Sequence, residues 1–156
     1  MDILTRPMLT PFDMPSLSET IVRAVYACWS RCDFTGMLDL FSADVEITQP
    51  DGLPGGRRFV GYEGVASFLL AYRWHLRSEF APRLLSWSGA DLVVIGRVRG
   101  RKWSDRQAVA LDFVHVWTVL NGEIVRLRVL TEVASVAGLL REGAAQLSAS
   151  VCAGPR

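Results

Sequence analysis

The chain has 156 residues, half of them apolar, with 17 Lys and Arg against 16 Asp and Glu and a formal net charge of +1. That length makes one domain with a substantial core, and the near-neutral balance, with its Arg residues scattered, lacks the basic field that draws a protein to nucleic acid. The longest unbroken apolar stretches, such as residues 24–29, fall far short of the roughly 20 residues a spanning helix needs. No membrane is therefore expected as a partner, and the apolar excess must go into a core, a subunit interface or an internal pocket.

Residues 1–15 carry three prolines and little periodicity and read as an N-terminal arm. They lack the basic and then apolar order of a secretory leader, so the cytoplasm is the expected compartment. Three cysteines agree with that, because an odd count is a poor disulfide framework. Cys28 and Cys32 lie four apart, but with only His75 and His115 in the chain no zinc spacing forms, and both thiols are assigned to the core.

From Ser16, followed three residues on by Glu19, a capping-box pattern opens a first helix. Its apolar positions Ile21, Val22, Val25, Tyr26, Cys28, Trp29 and Cys32 recur at helical spacing. Asp33 marks a break, and Phe34, Met37, Leu38 and Phe41 predict a short second helix ending near Ala43. A strand follows over residues 45–49 and stops at Pro50. Residues 50–61, with two prolines and four glycines, read as a surface loop of the length often used as a functional lid. A third helix is predicted over residues 62–79, with Val65, Phe68, Leu69, Tyr72 and Leu76 in one stripe.

Residues 84–87, 92–102, 107–120 and 123–132 then read as strands separated by the turn signals Ser88-Gly89-Ala90-Asp91, Trp103-Ser104-Asp105-Arg106 and Asn121-Gly122. Short turns between consecutive strands make an antiparallel meander. The chain after residue 133 reads as a weak helix or a tail, with residues 141–156 flexible. The order of elements is an α+β plan with helices on one side of a curved sheet.

In the strand over residues 107–120, Val109, Leu111, Phe113, His115, Trp117 and Val119 share one face, and Ala108, Ala110, Asp112, Val114, Val116 and Thr118 the other. Both faces are mainly apolar. One belongs against the helices, and a homodimer packed through the outer sheet face is the economical use of the second. The register depends on a turn. A two-residue Asn121-Gly122 loop pairs His115 with Arg128, whereas a three-residue loop starting at Leu120 pairs it with Leu127. The longer loop is favoured, because it sets Val125, Leu127 and Val129 beside Phe113 and Trp117 and leaves Arg126 and Arg128 with Asp112.

Three passages carry a family resemblance: Phe41-Ser42-Ala43-Asp44-Val45-Glu46-Ile47, Val60-Gly61-Tyr62-Glu63-Gly64-Val65, and the run over residues 113–128 that begins Phe113-Val114-His115-Val116-Trp117. Together they resemble the SnoaL-like branch of the nuclear transport factor two superfamily over about residues 18–140, giving a SnoaL-like domain at 16–140. The resemblance implies a cone-shaped barrel of strongly curved, mostly antiparallel sheet with three helices on its concave face. It also implies an apolar pocket between them that suits proton-transfer chemistry on hydrophobic substrates. Relatives of this kind include polyketide ring cyclases, ketosteroid isomerase, scytalone dehydratase, limonene-epoxide hydrolase and members without known activity, so the fold alone does not name a reaction.

Compared residue by residue, the isomerase's general-base Asp before the proline is Gln49 here. Its helix-one Tyr falls on Val25, with Tyr26 adjoining, and its protonated Asp falls on His115. No Asp–Arg–Asp trio of the epoxide-hydrolase type is found. The acid/base Asp that follows the last strand in SnoaL-type cyclases matches Glu132.

His115 is the leading candidate. Mid-strand burial lowers an imidazole's pKa and leaves a neutral base or donor near pH 7. Gln49, Tyr26 and Glu132 are the other candidate catalytic groups, and Val25, Trp29, Phe68, Tyr72, Phe113, Trp117 and Leu127, with Trp74, are the expected pocket wall for a flat apolar ligand. Asp112 and Glu132 serve as well as partners for Arg126 and Arg128 on the outer face, and His75 is expected to be exposed. No Walker loop, dinucleotide fingerprint, zinc spacing or Gly-x-Ser-x-Gly elbow occurs. What remains is cofactor-free cyclisation, isomerisation or dehydration of a hydrophobic carbonyl-bearing molecule such as a polyketide, or a non-catalytic binding or assembly module of the same fold.

Overall fold

The computed structural model describes residues 16–51, 53, 56–73, 76–102 and 104–130. The chain order is α1 (Leu17–Arg31), α2 (Phe34–Leu38), β1 (Phe41–Thr48), β2 (Arg58–Val60), α3 (Gly61–Arg73), β3 (Leu76–Ser88), β4 (Asp91–Lys102), β5 (Ala108–Leu120) and β6 (Glu123–Val129). The strands form one sheet in the order β2-β1-β6-β5-β4-β3. Every pairing is antiparallel except β1 with β6. The α+β plan of a curled, mostly antiparallel sheet with three helices is the one expected. The arm, the tail, Trp74, His75 and Glu132 lie outside the described residues.

Helix α1 begins as its cap predicts, with the Glu19 N–H donating to Ser16 Oγ at 3.2 Å. The reciprocal half of the box is absent, because the Glu19 carboxylate instead accepts from Trp87 Nε1 at 3.3 Å and ties α1 to the end of β3. At its other end Cys32 adopts φ 57°, while the N–H groups of Cys32 and Asp33 donate back to Trp29 and Cys28 carbonyls, a Schellman closure. That position exposes Cys32, so only Cys28 of the pair is in the core.

Three boundaries move, each because strand pairing outcompetes a local pattern. Helix α2 stops at Leu38 rather than near Ala43, since Phe41 joins β1 and aligns with Ile124 of β6. Part of the expected loop becomes β2, where Arg58, Phe59 and Val60 pair with Thr48, Ile47 and Glu46. Helix α3 ends at Arg73 rather than at Glu79, and the chain from Leu76 onward pairs with β4 as far back as Lys102.

The β5–β6 turn corrects the favoured register. Leu120 pairs with Glu123 across a two-residue turn, with Asn121 at φ 52° and Gly122 at φ 78°, as a type I′ hairpin requires. An irregularity between Thr118 and Val119 then shifts the ladder by one, so His115 pairs with Val129 and Trp117 with Leu127. A bulge thus returns Leu127 and Val129 to the inner face. Arg128 does not lie with Asp112; it forms an ion pair with Asp91 at 3.1 Å, while Asp112 pairs in register with Arg97.

The inner face of the sheet carries Leu92, Val94, Phe113, Trp117, Leu127 and Val129, all buried against Val22, Val25 and Trp29 of α1 and Val65 and Phe68 of α3. Gly96 sits opposite Phe113. A Cβ there would collide with the Ala81 carbonyl oxygen and stand 2.7 Å from the Phe113 ring, so only glycine lets that ring settle on the strand. The outer face keeps Leu84 and Ile95 exposed and paired in register.

Candidate functional site

Between the inner sheet face and helices α1 and α3 lies a pocket of about 740 Å³ including its open mouth. Val25, Tyr26 and Trp29 enter it from α1, Phe68 and Tyr72 from α3, Phe113, His115 and Trp117 from β5, and Leu127 from β6. Its described walls hold no Asp, Glu, Lys or Arg. A ligand there meets hydrocarbon, aromatic rings and a few neutral polar groups.

The principal polar feature is a three-residue chain. Trp117 Nε1 donates to the Tyr26 hydroxyl oxygen at 3.0 Å, and that oxygen lies 2.8 Å from His115 Nδ1. Phe113 packs against the imidazole with ring centroids 4.5 Å apart, and Phe80 approaches it at 5.7 Å. The ring is therefore held by packing as well as by a hydrogen bond. Burial pushes the His115 pKa down to about 3, because an imidazolium would lose its hydration with no carboxylate among the described pocket walls to offset the loss. Burial also raises the Tyr26 pKa far above the usual phenol range, with the Trp117 hydrogen bond opposing it. Near pH 7 the site holds a neutral imidazole and a neutral phenol.

Gln49 is placed differently from the other candidates. Buried just past the end of β1, it donates through its side-chain amide to the Gly56 carbonyl at 2.6 Å and accepts from the Tyr72 hydroxyl at 3.0 Å. Its backbone N–H donates to the Arg57 carbonyl at 2.9 Å. It is not among the pocket-lining residues; it ties the chain before β2 to helix α3. Tyr72 presents its ring to the pocket and its hydroxyl to Gln49.

Ser78, Phe80, Val98, Leu111 and Val129 also line the pocket. Ser78 and Phe80 escape the sequence reading because they fall in or just past the stretch assigned to the third helix. The signal was present, since Leu76, Ser78 and Phe80 alternate with Arg77 and Glu79 at the period of a strand. Ser78 anchors the wall, as its carbonyl and hydroxyl oxygens accept from Trp29 Nε1 at 3.1 and 3.3 Å.

The fold has counterparts among known proteins. The fold superposes on an NTF2-like protein of unknown function from Burkholderia pseudomallei, with 30% identity, a TM-score of 0.74, and coverage of 81% of this chain and 98% of that one. TerC, crystallised with polyporic acid, aligns at 28% identity with a TM-score of 0.74, over 81% of this chain and 99% of its own. A candidate polyketide cyclase from Xanthomonas campestris shares the fold at 20% identity and a TM-score of 0.69, with 80% and 96% covered. No curated protein matches the chain. The SnoaL-like domain family matches residues 22–127, and the chain belongs to it.

Proposed function

We propose that the protein takes up a flat, hydrophobic, carbonyl-bearing small molecule, of polyketide type, and acts on it by cofactor-independent proton transfer in a cyclisation, isomerisation or dehydration. The observation that carries this reading is the Trp117–Tyr26–His115 chain, set into a pocket otherwise walled by apolar and aromatic side chains. In such surroundings a hydrogen bond to a developing oxyanion is worth far more than in water. His115 is the proton-handling group and Tyr26 its partner. Gln49 holds the pocket's rim through Tyr72, and Glu132, beyond the described residues, is the acid/base candidate at the end of the last strand. The co-crystallisation of TerC with polyporic acid supports an occupant of aromatic character. Two copies of the chain pack through the outer sheet face, where Leu84 and Ile95 are exposed, and each keeps its own pocket on the inner face.

The test is turnover on polyketide-derived carbonyl compounds by the wild type and by His115→Ala. The variant is expected to remain folded, by circular dichroism, and to lose activity; unchanged turnover would remove His115 from the reaction. A second reading, a non-catalytic binding module, draws support from the absence of an ionised carboxylate among the described pocket walls. A compound that co-purifies with the protein and survives incubation unaltered would favour it.

A further inference from the structure

We infer that Trp117 and Tyr26 lock His115 in the tautomer that carries its proton on Nε2, so that this N–H is the hydrogen-bond donor offered to an oxygen acceptor on the ligand. This deepens the reading above and rests on it for the ligand, though not for the tautomer.

The assignment follows from counting protons. An indole nitrogen can only donate, so the 3.0 Å contact from Trp117 Nε1 makes the Tyr26 oxygen an acceptor. The phenol then has one proton to place, and the neighbour with a free lone pair is His115 Nδ1, 2.8 Å away. If Nδ1 carried the proton instead, it would donate to Tyr26 and leave the buried phenol proton with no acceptor among the described residues. Either tautomer leaves Nε2 facing the pocket without a protein partner among those residues, so the choice turns on the phenol. The Nδ1–H form thus leaves two polar groups without a protein partner among the described residues, the phenol proton and Nε2, whereas the Nε2–H form leaves only Nε2, and unpaired buried polar groups are what folded proteins avoid. The ring is also held in place, between Phe113 at 4.5 Å and Phe80 at 5.7 Å, so it does not flip to exchange its two nitrogens without repacking both. Trp117 and Tyr26 are thus positioning residues, and His115 meets its ligand as a neutral donor.

The consequence is a rule for the ligand. The pocket selects molecules that place a carbonyl, enolate or phenolate oxygen at Nε2, and it gains nothing there from a group that can only donate, such as an ammonium or a pyrrole-type N–H.

Two measurements test this. The first is a two-bond proton–nitrogen correlation spectrum of the free protein at neutral pH, with His75→Gln leaving one imidazole. The pattern of an Nε2–H tautomer is expected, and an Nδ1–H pattern or an imidazolium overturns the assignment. In Tyr26→Phe the preference is expected to relax toward a mixture; an unchanged spectrum removes Tyr26 from the positioning role. If that variant fails to fold, Trp117→Phe provides the same readout through the loss of the donor that polarises Tyr26.

The second measurement compares fluorenone with fluorene, two flat tricyclic compounds that differ by one carbonyl, using tryptophan fluorescence. Fluorenone is expected to shift the Nε2 resonance while fluorene does not. The ratio of their affinities should fall roughly three- to tenfold in His115→Phe, as a single neutral hydrogen bond allows. Binding of both with Nε2 unmoved and the ratio unchanged overturns the ligand rule. Failure of both to bind counts against the small-molecule reading instead, and the tautomer remains decided by the free protein.

Discussion

Tyr26 on the first helix and His115 in the middle of the fifth strand, 89 residues apart in the chain, meet at 2.8 Å between the phenol oxygen and Nδ1. The Trp117 indole N–H closes on the same oxygen from two residues further along the strand. Replacing Tyr26 with Phe leaves a buried indole donor and an imidazole nitrogen unpaired together. A loss of about 1–3 kcal/mol is expected, measured by denaturant unfolding. Because both bonds share the oxygen, a double-mutant cycle of Tyr26→Phe with Trp117→Phe should show coupling well outside error; additive losses would mean the two contacts are independent.

Acid should destabilise the fold before its carboxylates respond. The imidazole of His115 sits near 6.5 when unfolded and is pushed down to about 3 in the fold by burial. Its contribution is therefore complete above 6.5 and is lost as the pH falls toward 3, since the unfolded chain binds the proton and the folded one refuses it. Between pH 7 and 4.5 the loss is roughly 2–3 kcal/mol. Glu46, held below its usual 4.5 mainly by the hydrogen bond from Arg58, adds its own loss only below that window. Chemical denaturation at stepped pH should show the limb in the wild type and a flatter one in His115→Gln; parallel curves would contradict the burial.

Gly96→Ala tests how the imidazole is held. The added methyl meets the Phe113 ring and the Ala81 carbonyl, and Phe113 is the ring packed closest to His115. Overpacking of this kind typically costs about 1–3 kcal/mol. The variant should also move the His115 side-chain resonances although residue 96 does not touch the imidazole. A destabilised protein with unmoved resonances would show that Phe113 does not position the histidine.

Leu84→Arg or Ile95→Asp addresses the outer face. Both side chains are exposed, at 54% and 41%, so charge there should leave monomer stability within about 0.5 kcal/mol. If the face joins two copies, sedimentation velocity should show a wild-type dimer and a monomeric variant. A wild type that already sediments as a monomer refutes the arrangement.

Much of the fold is readable from local chemistry. The Ser16 cap, the helical stripe from Ile21 to Trp29, the alternation along β5 and the Asn121-Gly122 turn each act over a few residues, where propensity and periodicity decide. The same logic misplaced the end of the third helix, because the stripe through Tyr72 to Leu76 continues into residues whose alternation satisfies β4 instead, and twelve in-register partners outweigh one more turn of helix. The register of β6 shows a subtler limit. The inner-face assignment of Leu127 and Val129 was sound, but it is reached by a two-residue turn followed by a bulge rather than by a longer loop, and a bulge leaves no mark in composition.

On its own, then, the sequence determined the class of fold, the aromatic character of the pocket and the prominence of His115, because apolar periodicity and a buried histidine on an apolar face are properties of neighbouring residues. Only the tertiary structure decided what that histidine is bonded to, that Gln49 turns away to Tyr72 and Gly56, and that Ser78 and Phe80 complete the wall. Those outcomes depend on atoms brought together from distant parts of the chain. A hydrogen bond acts over about 3 Å in space, whatever the separation along the sequence.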